Sequence, residues 1–317
     1  GPLGKGSLSN GYVICPWHYW RYHHQTGKVR PEMGDIQVPS YELKVEAGHV
    51  FLNTKPITER VNVHEKPMHL ARKPKREKGP IRVLGISTTA MTEKHPRFST
   101  SESLLKASLE NAAEELKCET QLIRLNELNF KNCEGYYSKS ARACIWPCSI
   151  TQFDSSDQLE KVYEALVHWA DVVMVATPIR WGMASSLYHK MVERMNCIQN
   201  QITLSDNVLI KNKVASFIIT GGQDNIQSVA GEMLGFFSEL GFVFPPFPYI
   251  AHSLGWSMEN MEHNVDYVKR SHQLPEGAKA LLHRSVEMAK VLLGSEVCIE
   301  ALERAGRKGY SSDRESK

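Results

Sequence analysis

The sequence predicts an α/β protein built on a doubly wound, five-stranded parallel sheet, preceded by a small all-β module. Two observations carry this. From Ile81 onward, short apolar β-type runs alternate with amphipathic helical segments, the pattern of right-handed βαβ crossovers. Residues 11–53 instead hold only short β-type runs separated by turns, with no helical period between them.

The five strands of the larger domain are expected at 82–86, 120–125, 171–176, 214–220 and 242–250. Leu105, Leu109, Ala112 and Leu116 recur at helical spacing after the first strand, and Leu159, Val162, Leu166 and Trp169 do so before the third. Helices also fit 185–198, 226–240 and 276–293. In the small module the β-type runs begin at Tyr12, Trp20, Tyr41 and His49. Between Lys66 and Pro80 there are six Lys or Arg against one Glu, with three prolines and no apolar period, so this stretch reads as an exposed linker. The expected organisation is therefore a module over 1–62, a basic linker over 63–80, an α/β domain over 81–295 and a polar tail over 296–317.

Composition narrows the class of function. At 317 residues, 42% hydrophobic and 23% charged, the chain is long enough for two cores of ordinary size. A net charge of +3, with much of the basic excess in the linker and tail, provides no general field for nucleic acid. The apolar runs at 172–176 and 242–251 are too short to cross a bilayer, so no membrane partner is expected. Seven scattered cysteines do not form a secreted disulfide framework, and a reducing, cytoplasmic setting is expected. The opening Gly1-Pro2-Leu3-Gly4 lacks an initiator methionine and suggests a fragment of a longer protein.

In a doubly wound sheet, ligands sit at the carboxyl ends of the strands where the winding reverses, so the loops after strands one, three and four matter most. The first contains Ser87, then Arg97 and Ser99-Thr100-Ser101 at a helix start. Hydroxyls and unpaired N–H groups there suit a phosphate monoester. The third-strand loop, Pro178-Ile179-Arg180-Trp181-Gly182, can turn backbone N–H groups and a flat indole toward a polar aromatic ring. The fourth-strand loop, Gly221-Gly222-Gln223-Asp224-Asn225, adds close backbone approach and amide donors.

Over about 81–295 these features resemble the NADPH-dependent FMN reductase family of the flavodoxin-like superfamily. The similarity rests on Gly85-Ile86-Ser87, Arg97, Ser99, Ser101 and Leu104-Leu105. It continues through Thr177-Pro178, Gly182, Lys190 and Glu193-Arg194. An insertion divides the first loop, and Arg180 stands where the family often has tyrosine. The resemblance implies FMN bound by these loops, hydride received from NAD(P)H, and electrons passed to a small-molecule or protein acceptor by a homo-oligomer. It gives no catalytic side chain, since the flavin carries the chemistry; Arg180 is a candidate to tune the ring. A flavodoxin-like electron carrier that never meets a nicotinamide is the alternative.

Two sets of cysteines remain. Cys133, Cys144 and Cys148 follow strand two, where iron-sulfur flavoproteins carry a compact four-cysteine motif. The spacing here departs from that motif, and Cys118 is the one candidate to complete a set of four. Cys15-Pro16-Trp17-His18, in its aromatic context and followed by Thr26-Gly27, resembles the second ligand box of a Rieske domain. That resemblance implies metal ligation by Cys15 and His18, with a [2Fe-2S] cluster only in an intact protein that supplies a second such pair and electron transfer through it.

Overall fold

The computed structural model describes residues 2–29, 36–61, 68–92, 97–154, 156–221, 225–255 and 257–294. The predicted tail at 296–317 and most of the linker before Met68 lie outside these residues, as do Gly222, Gln223 and Asp224. In chain order the strands are β1 (Ser7–Ser9), β2 (Tyr12–Ile14), β3 (Arg21–His23), β4 (Ser40–Glu46), β5 (His49–Thr58), β6 (Arg82–Ser87), β7 (Glu119–Arg124), β8 (Val172–Pro178), β9 (Val214–Gly221) and β10 (Tyr249–Ser253). The helices are α1 (Thr100–Glu114), α2 (Ser149–Phe153), α3 (Glu160–Tyr163), α4 (Ser186–Arg194), α5 (Asn196–Ser205), α6 (Ile226–Leu240), α7 (Met258–Arg270) and α8 (Gln273–Gly294).

The chain divides into two compact units. One gathers Gly1–Lys73, Asn129–Tyr163 and Lys190–Asn207; the other gathers Pro74–Leu128, Glu164–His189 and Val208–Lys317. The N-terminal module therefore shares a unit with two stretches of the α/β sequence that follows.

In the larger unit, five strands pair in parallel in the order β10-β9-β8-β6-β7. The winding reverses between β6 and β8, which places the ligand edge at their carboxyl ends. Strands β8 and β9 are buried along their whole length, as central parallel strands covered on both faces must be. Helix α1 lays Leu104, Leu105, Leu109 and Ala112 into one core with Leu281, Leu282, Val286 and Ala289 of α8. Cys118 is buried in this same apolar core.

Several expectations are corrected. The fifth strand is Tyr249–Ser253 rather than 242–250, because Pro245, Pro246 and Pro248 lack the N–H groups a ladder needs; Val243 makes only a lone bridge to Val214. The single helix expected at 185–198 is two, α4 and α5, meeting at Met195. Helix α7 was not expected, although Met258, Met261, Val265 and Val268 have helical spacing. The basic linker is more than a solvated stretch, since Arg76 grips buried Asp171 with two bonds of 2.8 and 2.9 Å, and Asp171 also accepts the Arg82 N–H at 2.9 Å.

In the smaller unit, β1–β3 form an antiparallel sheet over a core of Cys15, Trp20, Val29 and Ile36. Strands β4 and β5 form a separate two-stranded ribbon. Its pairing of Leu43 with Leu52 and Val45 with Val50 puts these side chains and Tyr41 on one face, and all five are exposed. A second hydrogen-bonded centre surrounds Arg194. Its Nη1 and Nη2 each meet one oxygen of Asp157, at 3.1 and 2.8 Å, while Nη1 also reaches Lys131 O, Nη2 reaches Thr151 Oγ1, and Nε points at Cys148 Sγ at 3.3 Å. Burial favours the neutral form of Arg194, but Asp157 outweighs it and keeps the guanidinium charged.

Candidate functional site

At the carboxyl edge of the larger sheet lies a cleft of about 340 Å3, a size common for small-molecule sites. One wall is the start of α1. Ser99 is its N-cap, with Oγ 3.5 Å from the Glu102 N–H, while its carbonyl takes the Ser103 N–H. The N–H groups of Thr100 and Ser101, like those at any helix start, have no intrahelical acceptor and carry the positive end of the helix dipole. Thr100 and Thr220, whose hydroxyls lie 2.6 Å apart, tie this wall to the end of β9.

An acid in the first turn would spoil such a site for an anion, and Glu102 stands there. Burial alone would raise its pKa, yet the Ser87 hydroxyl at 2.6 Å, Arg124 at 3.1 Å and Lys106 at 3.2 Å outweigh burial and hold it below the usual range. Its charge is thus neutralised locally.

The opposite wall is a two-residue hairpin. Arg180 and Met183 exchange both backbone bonds, at 2.8 and 3.0 Å, so Trp181 (φ 52°) and Gly182 (φ 70°) occupy the tip. This is the I′ arrangement, which needs a left-handed backbone at both central positions. Glycine adopts it freely; tryptophan does so at a cost, and its side chain is 86% exposed. Asn225, at the start of α6, clamps the turn by donating Nδ2 to Gly182 O at 2.6 Å. Behind the turn, Ser185 Oγ donates to Thr88 O at 2.7 Å, joining the loops after β6 and β8. A Cβ on Gly221 would stand 2.8 Å from Ile179 Cβ, so the backbone of β9 can approach the turn only as glycine.

Of the sequence-predicted residues, Ser99, Thr100, Pro178, Ile179, Arg180, Trp181 and Gly221 line the cleft. Ser101 is buried behind Ser99, and Gly182 and Asn225 shape the hairpin. Ser87 is spent on Glu102 and does not line the cleft. Sequence reasoning missed Met91, Phe98, Thr220 and the α7 residues Met261, Asn264 and Val265, which complete the lining.

The Rieske-like box forms a tight turn, with Cys15 N–H bonded to Trp20 O at 2.7 Å and Tyr19 N–H to Cys15 O at 3.0 Å. Cys15 is buried, and His18 Nε2 donates to Ala143 O at 2.8 Å. Burial outweighs that bond and lowers the His18 pKa. One Cys and one His are half the ligands of a [2Fe-2S] centre of this type. Among the described residues, no group of three or more His, Cys, Asp or Glu is placed to hold a metal ion. The described residues therefore do not fit a cluster, and no step of the function is routed through one. Cys118, proposed above to complete a four-cysteine set, belongs instead to the apolar core under α1.

A five-stranded parallel sheet in this order, with a helix N-terminus and a polar loop facing each other across its switch point, is the flavodoxin-like fold. Residues 81–257 match the NADPH-dependent FMN reductase family, and the chain belongs to it. The chain is 33% identical over 88 residues to 8-demethyl-8-aminoriboflavin-5'-phosphate synthase of Streptomyces davaonensis, an alignment spanning 28% of this chain and 32% of that enzyme. Among solved structures it is similar to RosB with bound 8-demethyl-8-formylriboflavin-5'-phosphate, with a TM-score of 0.56, 20% identity, and coverage of 72% of this chain and 87% of that one. A weaker likeness, with a TM-score of 0.44 and 14% identity, joins 64% of this chain to 96% of NAD(P)H:quinone oxidoreductase from Methanothermobacter marburgensis. Among the described residues, no helix is long and apolar enough to cross a membrane.

Proposed function

We propose that the cleft holds FMN and that the protein oxidises NAD(P)H there, passing electrons to a small-molecule or protein acceptor. The observation that carries the reading is the pair of facing walls, an anion-binding helix start and a hairpin presenting an aromatic ring, on one cleft at the switch point. The riboflavin 5'-phosphate derivatives for which the Streptomyces enzyme is named and which RosB holds support it. When bound, FMN supplies the hydride and electron chemistry.

The chain's own task is positioning. Thr100 and Ser101 N–H groups, with the Ser99 and Thr100 hydroxyls, hold the phosphate dianion at the positive end of α1. Residues Pro178 to Gly182 set the ring against backbone N–H groups, and Trp181 covers part of it from water. Arg180, exposed and directed by its own Nη1 bond to Ile179 O at 3.1 Å, adds positive charge beside the ring. Gly222, Gln223 and Asp224 belong to the same assignment by their place in the fourth loop. A homo-oligomer and a cytoplasmic setting accompany this reading. We further read the N-terminal module as the second-box half of a Rieske-type domain, a reading supported by the Cys15/His18 turn.

Protein purified with its native cofactor is expected to be yellow and to release FMN on denaturation, because the helix start accommodates a phosphate monoester and the sequence shows no recognisable adenylate site. Chromatography of the extract decides it. FAD, or no flavin uptake on reconstitution, contradicts the assignment.

A further inference from the structure

The cleft has a third wall that belongs to neither the helix start nor the hairpin. Met261, Asn264 and Val265 line it from one face of α7, a helix that begins just past the residues 81–257 matched to the family. The helix is held there at three points. Val268 is buried in the core with α1 and α8, Lys269 Nζ lies 5.0 Å from the centre of the Phe98 ring, and Tyr267 stacks flat on His252 at 4.7 Å. Two of the three lining residues are apolar; Asn264 is not. It is 6% exposed, and its Oδ1 is buried without a hydrogen-bond partner among the described residues. Folded proteins leave few buried polar atoms unpaired, because each one costs free energy, so the amide needs a partner that the described chain does not supply. His252 is the side chain beside it, since Asn264 stands one turn before Tyr267 on α7. His252 Nε2 is unpartnered as well, so this contact satisfies neither atom.

The position of Asn264 selects the part of the ligand that meets it. His252 pairs with Thr220 across β10 and β9. Thr220 in turn joins both main walls: its hydroxyl lies 2.6 Å from that of Thr100 at the start of α1, and its carbonyl takes the Ile179 N–H of the hairpin side at 2.8 Å. Asn264 therefore flanks the stretch between the phosphate wall and the ring wall. In FMN that stretch is the ribityl chain. Each of its hydroxyls both donates and accepts, and so matches whichever edge the amide turns toward it. We propose that Asn264 is a binding residue for the ribityl chain of FMN, hydrogen-bonded to one of its hydroxyls. The inference rests on the reading of the cleft as an FMN site, and it adds a polar anchor between the two walls from a helix outside the family-matched span.

The test is fluorescence titration of the apoprotein, wild type and Asn264→Leu, with two ligands: FMN, and a flavin whose ribityl phosphate is replaced by an unbranched phosphopentyl chain. The second ligand keeps ring and phosphate but has no hydroxyls. Asn264→Leu is expected to weaken FMN binding about tenfold, the effect of one hydrogen bond, and to leave binding of the phosphopentyl flavin unchanged. The variant apoprotein should melt no lower than wild type, because leucine removes an unpaired buried amide. Asn264→Ala, which cannot overpack the site, is read in the same way if the leucine variant does not fold. Equal weakening of both flavins, equal FMN binding by wild type and variant, or apoproteins that melt well below wild type in both variants overturn the proposal and leave FMN in the cleft. A wild-type protein that takes up neither flavin overturns the FMN reading and this inference together.

Discussion

Gly182→Val is expected to weaken FMN binding by about tenfold to a hundredfold, a loss of about 1–3 kcal/mol. The position requires a left-handed backbone, and a β-branched residue resists it. The new Cβ would also stand 3.1 Å from Asn225 Nδ2, pushing on the side chain that clamps the turn through Gly182 O. Trp181→Gly separates shape from contact. It relaxes the turn, since glycine adopts φ near 52° without steric cost, and removes the ring, so the folded protein should be at least as stable while binding FMN about tenfold more weakly. Quenching of flavin fluorescence on titration with the apoprotein gives both values, and Cys144→Ala serves as the reference that leaves affinity unchanged. Equal losses at all three positions would mean that the ring lies elsewhere.

Arg194→Met is expected to destabilise the smaller unit by about 3–5 kcal/mol, the usual cost of stranding one partner of a buried ion pair. The Asp157 carboxyl would be left with only Thr151 Oγ1 (2.6 Å) and the Lys131 N–H (3.0 Å) as donors. The double variant Asp157→Leu with Arg194→Met should recover much of the loss, because no buried charge then remains unpaired. The shift of the urea midpoint measures both. A single variant as stable as wild type would show that the pair contributes nothing to holding this unit together.

Much of the sheet was legible because parallel strands buried on both faces are written as unbroken apolar runs, as in Val172 to Ala176. The last strand was misplaced because Phe242 to Ile250 is equally apolar, and hydrophobicity alone does not register that three prolines forbid the ladder. The hairpin at Arg180 to Met183 was located by its Pro, Trp and Gly, but not its geometry; a tryptophan in the left-handed region is not a choice that propensity suggests. Ser87 looked like a phosphate ligand because nothing in the local sequence shows Glu102 folding back to claim its hydroxyl across fifteen residues. Met261, Asn264 and Val265 went unseen for the same reason: they reach the cleft from a helix that follows the last strand.

The central claim, that this cleft holds FMN for reduction by a nicotinamide, is tested most directly by anaerobic titration of the FMN-loaded protein with NADPH and then NADH, following the visible absorbance of oxidised flavin. The account predicts rapid bleaching, stoichiometric with bound FMN, by at least one of the two. Bound FMN that stays oxidised with both nicotinamides, yet bleaches with dithionite, would contradict the account and leave an electron carrier that is reduced by a partner protein.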